Sequence, residues 1–158
     1  HPHLVGKLVV ASASTSTGAD AVYREIFAGI AQITPAVFAG TPFLEEYERV
    51  APDRDAFAGL VARLKDLDAR EFAWPDEQIR AIAAPTMIVM GDADIVRPEH
   101  AVALLRLRGG GVAGDLAGIP DARLAILPGT SHIGVVGRAA WLVPMIGEFL
   151  AAPVAGGA

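Results

Sequence analysis

An uncharged run of five residues, 86–90, most constrains the fold of this 158-residue chain. Pro85 and Gly91 bound the run, and such a short apolar segment is typical of a strand buried on both faces of a parallel sheet. Asp92 and Asp94 follow directly. Open α/β sheets bind their ligands at the carboxyl ends of the strands. The two carboxylates are therefore the first candidates for a functional site.

Two further apolar runs have the same character. Lys7 to Ala11 precedes the first run and Ala122 to Leu127 follows it, with helical patterns between them. Parallel strands need crossover connections, which are usually helices. The sequence therefore predicts an α/β fold with a parallel three-stranded sheet flanked by helices. It predicts a single domain over residues 1–158, because a chain of this length rarely forms two independent cores.

The connection between the first two strands, residues 20–72, is much longer than one crossover helix requires. Its apolar spacing predicts several helices. Asp20 is the expected cap of the first helix, and Asp53 or Asp55 of the last. We expect this segment to form a helical cap or lid insert.

Composition excludes several classes of function. The net charge is −5 and the basic residues are scattered, which argues against nucleic-acid binding. No apolar run approaches the roughly 20 residues that span a bilayer, so we expect no membrane partner. The chain has no cysteine, which excludes disulfides, thiolate metal sites and a cysteine nucleophile. A reducing, cytoplasmic compartment fits this composition.

Among the four histidines, His132 stands out because it lies in a glycine-flanked loop directly after the third strand. His1 and His3 lie at the chain start and His100 lies in a predicted helix, so solvent-facing or helix-end positions are expected for them. The carboxyl ends of parallel strands emerge at one edge of the sheet. Asp94 and His132 are therefore expected to meet.

A carboxylate that accepts Nδ1–H from an imidazole orients the ring and stabilises the imidazolium, as a general base requires. Asp94 is the better partner for His132, whereas Asp92 is interpreted as holding the turn through its own backbone. One alternative is a turn-capping aspartate beside a loop histidine without function. Another makes both aspartates ligands of a hard cation, but it gives His132 no role. We expect no metal and no cofactor.

Residues 82–94, followed by residues 127–132, resemble the C-terminal half of an α/β-hydrolase. The shared pattern is a helix, I-x-x-P, a buried strand, G-x-x-D, a helix, a strand, a G-x-x-H loop and a closing helix that ends in Phe149-Leu150. The resemblance covers essentially the whole chain. It implies that the first strand corresponds to the family's sixth, residues 20–72 to its cap, and the later strands to its seventh and eighth.

The resemblance implies that Asp94 is the acid and His132 the base of a nucleophile–His–Asp triad that cleaves ester- or lactone-type bonds. The nucleophile is missing, because no Gly-x-Ser-x-Gly occurs and the serines near position 12 lack the flanking glycines. The chain starts at His1 without Met, so we expect a fragment that lacks the nucleophile half and is inactive alone. Aspartate-nucleophile relatives (dehalogenases, epoxide hydrolases) share the acid and histidine positions, so Ser and Asp both remain open as nucleophile.

The apolar side chains of the insert suggest a small apolar ester-like substrate, although they could simply pack the cap onto the body. The open edge of the first strand predicts pairing with the missing N-terminal half, or self-association. A non-catalytic half-fold that assembles with a partner through this edge is the alternative function. The candidate pocket-lining residues are Ser12, Ser14, Trp74, Ile95 and Ile133.

Overall fold

The computed structural model describes residues 1–154 and contains a three-stranded parallel sheet in the order β1-β2-β3. The strands are β1 (Leu8–Ala11), β2 (Thr86–Ala93) and β3 (Ala122–Ser131). The central strand β2 is buried from its start to Gly91, as expected for a strand flanked by two others and covered on its faces. The predicted fold class, α/β with a parallel three-stranded sheet flanked by helices, is confirmed.

Both later strands continue beyond their predicted ends. Gly91 pairs with Leu127 and Ala93 pairs with Ser131, so the register shifts where β3 carries two extra residues. An added Cβ on Gly91 would lie 1.8 Å from the carbonyl oxygen of Thr130. The glycine therefore does not end the strand; it allows a close backbone approach, after which the pairing resumes.

Within residues 1–154 the structure contains seven α-helices and three short 3₁₀ helices. The 3₁₀ helices are Pro2–Leu4, Pro35–Phe38 and Ile133–Arg138. The α-helices are α1 (Glu25–Gln32), α2 (Pro42–Val50), α3 (Phe57–Asp68), α4 (Asp76–Arg80), α5 (Pro98–Leu107), α6 (Gly114–Ala117) and α7 (Ala139–Ala151).

The predicted helix caps of the insert are wrong. The first helix begins at Glu25 rather than after Asp20. Ahead of α3 the cap position is Ala56, which makes no side-chain capping bond. The Asp53 carboxylate instead accepts the N–H of Asp55 at 3.0 Å. An aspartate that bonds the backbone two residues ahead forms a turn, and the sequence pattern does not distinguish this turn from a helix cap.

The chain forms two compact units, one of His1–Tyr23 with the chain from Phe72 onwards, and one of Arg24–Glu71. In the smaller unit Phe38 packs edge-on against Phe43 and Phe57, with ring centroids 6.3 and 5.5 Å apart. Its helices therefore have an apolar cluster of their own. The single-domain organisation and the role of residues 20–72 as a cap stay predictions.

One core cluster of the larger unit lies between the sheet and α7. It is formed by Met87, Val89, Leu127 and Phe149. Lys7, just before β1, donates to the carbonyls of Phe149 and Leu150 at 2.8 and 2.9 Å. This amino group satisfies carbonyls at the end of α7 that the helix itself leaves unpaired.

Helix α5 is fixed at its C-terminal end by Arg108. Its guanidinium donates to the carbonyl oxygens of Ile79 and Ala84 at 2.9 and 3.1 Å. The buried face of α5 carries His100, Ala101 and Leu104. The predicted solvent-facing position of His100 is therefore wrong, because its side chain is buried. The helix-end alternative is correct, since His100 is the third residue of α5.

The stretch Ile133–Ala151 is long and apolar enough to cross a membrane by length and composition alone. The expectation that no stretch of the chain approaches this length is wrong. Arg138 and Glu148 interrupt the stretch, so a search for uninterrupted apolar runs misses it. The absence of a membrane partner stays a prediction.

Candidate active site

Asp94 and His132 meet at the carboxyl ends of β2 and β3. The Nδ1 atom of His132 lies 2.8 Å from Oδ1 of Asp94, although the residues are 38 positions apart. The side chain of Asp94 is 0% exposed and that of His132 is 38% exposed. The carboxylate is therefore shielded from water while the imidazole remains accessible to a reactant.

Four donors surround the Asp94 carboxylate. Oδ1 accepts from His132 and from the backbone N–H of Val96 at 3.1 Å. Oδ2 accepts from the Ser12 hydroxyl at 2.7 Å and from Gly91 N–H at 3.4 Å. Burial favours the neutral acid, but these hydrogen bonds outweigh it and hold the pKa of Asp94 below its ordinary value.

An ionised Asp94 has only acceptor oxygens, so Nδ1 of His132 must carry the proton in this contact. The other ring nitrogen, Nε2, then has a free lone pair in the neutral imidazole. This is the form in which a histidine takes a proton from an attacking group.

The loop that carries His132 is held from two sides. The Asp92 carboxylate accepts the N–H of Thr130 at 3.0 Å. Arg138 donates to the Thr130 hydroxyl at 3.0 Å and to the carbonyl oxygen of Gly129 at 2.7 Å. Asp92 therefore acts mainly across the two strands, and the interpretation that it holds its own turn is incomplete.

The N–H groups of Thr130 and Gly129 lower the pKa of Asp92, with smaller contributions from the N–H groups of Asp92 and Ala93. A carboxylate that accepts several backbone N–H groups is stabilised in its charged form. The ionised carboxylate of Asp92 therefore holds the loop that carries His132 through hydrogen bonds to its backbone.

Ser12 is predicted to line a pocket, but its hydroxyl donates a hydrogen bond to Asp94. Among residues 1–154 it is the one non-glycine residue with positive φ, at 49°. A non-glycine residue in this left-handed region costs about 1–3 kcal/mol and persists only where its surroundings hold it there. Ser12 follows β1 directly, so the argument that joins Asp94 to His132 also brings its hydroxyl to this edge.

Solved structures match nearly the whole chain at low sequence identity. An α/β-hydrolase enzyme, MGS-M2, from a Medee basin deep-sea metagenome library matches with a TM-score of 0.63 at 14% identity, over 98% of this chain and 59% of its own. A serine hydrolase involved in carbazole degradation, CarC, matches with a TM-score of 0.60 at 19% identity, over 96% of this chain and 56% of its own. The chain has part of the α/β-hydrolase fold.

An esterase, RhEst1 from Rhodococcus sp. ECU1013, also has this fold in common with the chain, with a TM-score of 0.58 at 18% identity, over 94% of this chain and 57% of its own. No family model matches the sequence. No curated protein matches it either. The chain spans less than three fifths of the length of these three α/β-hydrolase-fold structures.

Within the described part of the α/β-hydrolase fold, no hydroxyl is hydrogen-bonded to Nε2 of His132. The Ser12 hydroxyl is on Asp94, on the acid side of the pair. The Ser131 hydroxyl accepts the N–H of Gly134 at 3.2 Å. These two serines therefore have structural partners, and neither contacts the base.

The predicted pocket-lining residues separate into two groups. Ser14 and Trp74 line an apolar cavity of about 370 Å³ beside β1. Ser12, Ile95 and Ile133 are not among its lining residues, and Ile133 is 62% exposed. Neither Asp94 nor His132 lines this cavity, so it is distinct from the contact between these two residues.

The arrangement of the two aspartates does not favour a hard-cation site. Across residues 1–154, no three His, Asp or Glu side chains are grouped to hold a metal ion. Both oxygens of Asp94 and Oδ1 of Asp92 already accept protein hydrogen bonds. The carboxylates therefore serve the protein's own donors.

Proposed function

We propose that the chain supplies the acid and base of an α/β-hydrolase that cleaves ester- or lactone-type bonds through a nucleophile–His–Asp triad. Asp94 is the acid, His132 is the base, and the nucleophile comes from outside these 158 residues. The observation that carries the proposal is the 2.8 Å contact between a fully buried carboxylate and an accessible imidazole.

In this mechanism Nε2 of His132 removes the proton of a hydroxyl nucleophile while its oxygen attacks the acyl carbon. The imidazolium then gives this proton to the leaving oxygen, and an acyl-enzyme remains. His132 then deprotonates a water molecule that attacks the acyl-enzyme, and the imidazolium returns this proton to the nucleophile oxygen as the acid is released. Asp94 stays ionised throughout and stabilises the imidazolium at each step.

The proposed substrate is a small apolar ester-like molecule. The structural similarity to an esterase and to a serine hydrolase supports this class. The aromatic side chains of the insert support it less, since Phe38, Phe43 and Phe57 pack on one another within their own unit.

The proposal is tested with 4-nitrophenyl acetate and a fluorophosphonate probe, applied to the purified 158-residue chain and to a complete protein that contains it. We expect no turnover by the chain above that of its His132→Ala variant, and no labelling. The complete protein should hydrolyse the ester and carry the label on one serine. Turnover by the chain alone that His132→Ala abolishes would place the nucleophile inside these residues and contradict the proposal.

An aspartate nucleophile gives a different result. The complete protein would then remain unlabelled and would not hydrolyse 4-nitrophenyl acetate. Its turnover of a haloalkane or an epoxide in ¹⁸O-water would place ¹⁸O in one aspartate carboxyl group. Water attacks the carboxyl carbon of the aspartyl ester, so one oxygen of the nucleophile is exchanged. This outcome would keep Asp94 and His132 in their roles and change the bond that is cleaved.

A second candidate function is assembly through the open edge of β1. The N–H of Leu8 donates to the carbonyl of Pro85, directly before β2, and that of Ser12 to the carbonyl of Val89 in β2. Strand alternation therefore turns the N–H groups of Val9 and Ala11 to the outside. We propose the missing half of the fold as the partner, or else a second copy of the chain. A soluble, dimeric protein whose complete form is unaffected by His132→Ala would favour assembly over catalysis.

A further inference from the structure

His100 lies on α5 and is only 9% exposed. Its Nε2 atom is 3.1 Å from the backbone nitrogen of Thr15 and 3.3 Å from the Thr15 hydroxyl. A backbone N–H can only donate, so Nε2 must accept. The imidazole is therefore neutral, with its proton on Nδ1.

The surroundings of His100 favour this neutral form. Burial lowers the pKa of His100, and the Asp20 carboxylate opposes this effect only in part. Loss of the lone pair on Nε2 would turn the contact with Thr15 into one between two donors. The contact thus exists only with an uncharged ring.

Thr15 is held on both sides. Its N–H donates to His100, and its carbonyl oxygen accepts the N–H of Trp74 at 2.9 Å. Three residues earlier, Ser12 donates its N–H to the carbonyl oxygen of Val89 at 2.8 Å. Segment 12–15 is therefore fixed to β2 at one end and to α5 at the other.

The left-handed conformation of Ser12 lies inside this fixed segment, and it directs the hydroxyl onto Oδ2 of Asp94. A residue with a side chain relaxes out of that conformation when the chain around it is released. Loosening Thr15 would therefore let Ser12 rotate and would remove its hydroxyl from Asp94.

We propose that His100 is a positioning residue: by accepting the N–H of Thr15, it holds segment 12–15 so that the Ser12 hydroxyl stays on Asp94. His100 touches neither Asp94 nor His132 and acts only through the segment. The inference concerns the pair named in the proposed function, but it is a claim about the Asp94 carboxyl and is tested without any catalysis.

The test is a ¹³C NMR titration of the Asp94 carboxyl in the 158-residue chain. Ser12→Ala removes a donor that lowers the pKa of Asp94, so the titration midpoint should rise. His100→Leu should raise it in the same direction, by at least about threefold in proton affinity (about 0.5 pKa unit). His100→Gln retains an acceptor at the position of Nε2 and should stay close to the unmodified chain.

The double variant Ser12→Ala with His100→Leu separates positioning from a general packing effect. If His100 acts through Ser12, the double variant titrates no higher than Ser12→Ala alone. Additive shifts, or an unchanged midpoint in His100→Leu, would overturn the proposal. Thr15→Val is the matched control, because it keeps the backbone N–H and loses only the hydroxyl.

One measurement needs no variant and therefore does not depend on whether His100→Leu folds. A long-range ¹⁵N–¹H correlation spectrum of the unmodified chain reports which ring nitrogen of His100 carries the proton. We expect Nδ1–H with an unprotonated Nε2. A proton on Nε2 at neutral pH would overturn the proposal, whatever the activity of the complete protein.

Discussion

Two regions of the sheet, the carboxyl ends of β2 and β3 and the outer edge of β1, differ in how far the described residues complete them. At the carboxyl ends of β2 and β3, both oxygens of Asp94 accept hydrogen bonds, and the loop that carries His132 is clamped by Asp92 and Arg138. At β1, no strand within residues 1–154 pairs with the outer edge, and an apolar cavity of about 370 Å³ lies beside it.

The contact between Asp94 and His132 is held entirely by hydrogen bonds within the described residues. Its donors all come from β1, β2, β3 and the segments that directly follow them. The proposed function, by contrast, requires a nucleophile and a partner for the outer edge of β1 from outside these residues. Substitutions at the carboxyl ends of β2 and β3 or at the outer edge of β1 should each perturb one of these two regions.

The largest effect is expected from the pair itself. In a complete protein, His132→Ala or Asp94→Asn should lower kcat for ester hydrolysis by about 10⁴-fold, because the base is lost or is held in the wrong tautomer. Steady-state kinetics with 4-nitrophenyl acetate measures this loss. Ser131→Ala is the neighbouring control and should keep its activity. A loss of less than tenfold in Asp94→Asn would remove Asp94 from the mechanism.

Gly91→Ala should destabilise the pairing of β2 with β3 near their carboxyl ends. The new Cβ would lie 1.8 Å from the carbonyl oxygen of Thr130, and backbone on both strands must move. We expect the free energy of unfolding to fall by roughly 3 kcal/mol, the upper end of the usual cost of overpacking. Urea denaturation followed by circular dichroism measures the change.

Gly147→Ala in α7 is the matched control, because no atom lies within 4 Å of its added Cβ. In a helix this exchange should stabilise the chain by up to about 1 kcal/mol. Equal destabilisation by both variants would contradict the assigned role of Gly91.

Ala11→Pro should affect only the outer edge of β1. It removes an N–H that points away from β2, and proline is tolerated on the outer edge of a sheet. Association through this edge should weaken by about tenfold, or about 1.4 kcal/mol. Sedimentation velocity over a dilution series measures it, either on the chain alone or with its other half added.

Ala11→Val keeps the N–H and favours a strand, so it serves as the control for edge pairing. The expected result is that Ala11→Val associates like the unmodified chain and Ala11→Pro does not. If both associate alike, the partner contacts a surface other than the edge of β1.

A smaller effect is expected from pH. The pKa of His100 is lowered in the folded chain, mainly by burial. As the pH is lowered, His100 therefore becomes protonated in the unfolded chain at a higher pH than in the folded chain. The free energy of unfolding falls as the pH drops below about 6.5, the ordinary histidine value. The lowered pKa values of Asp94 and Asp92 add a second loss as the pH drops below about 4.

Urea denaturation between pH 8 and pH 3 should therefore show two successive losses of stability. His100→Gln should remove the upper loss and leave the lower one, because glutamine does not titrate. An upper loss of the same size in His100→Gln would mean that another group causes it.

The sheet and the meeting of Asp94 with His132 could be predicted from the sequence. Apolar runs bounded by proline and glycine mark the strands, and parallel strands bring their carboxyl ends to one edge. That rule needs only the order of elements, so it works without knowledge of packing. It also brings Ser12 to the same edge, although the sequence does not show that its hydroxyl faces the carboxylate.

The rest depends on contacts between distant parts of the chain. The partner of His100 is Thr15, 85 positions away, and nothing local to α5 distinguishes a buried acceptor from a solvent-facing histidine. Gly91 is an ordinary strand terminator in sequence terms, but in the structure it allows Thr130 to approach. The helix N-caps predicted at Asp20 and Asp53 are wrong, because the residue types that cap helices also form turns.

The most direct test of the account is the ring tautomer of His132 in the 158-residue chain at neutral pH. A long-range ¹⁵N–¹H correlation spectrum should show the proton on Nδ1, donated to Asp94, with Nε2 unprotonated. In Asp94→Asn this preference should be lost. A proton on Nε2 in the unmodified chain, or the same spectrum in both, would contradict a preformed acid–base pair.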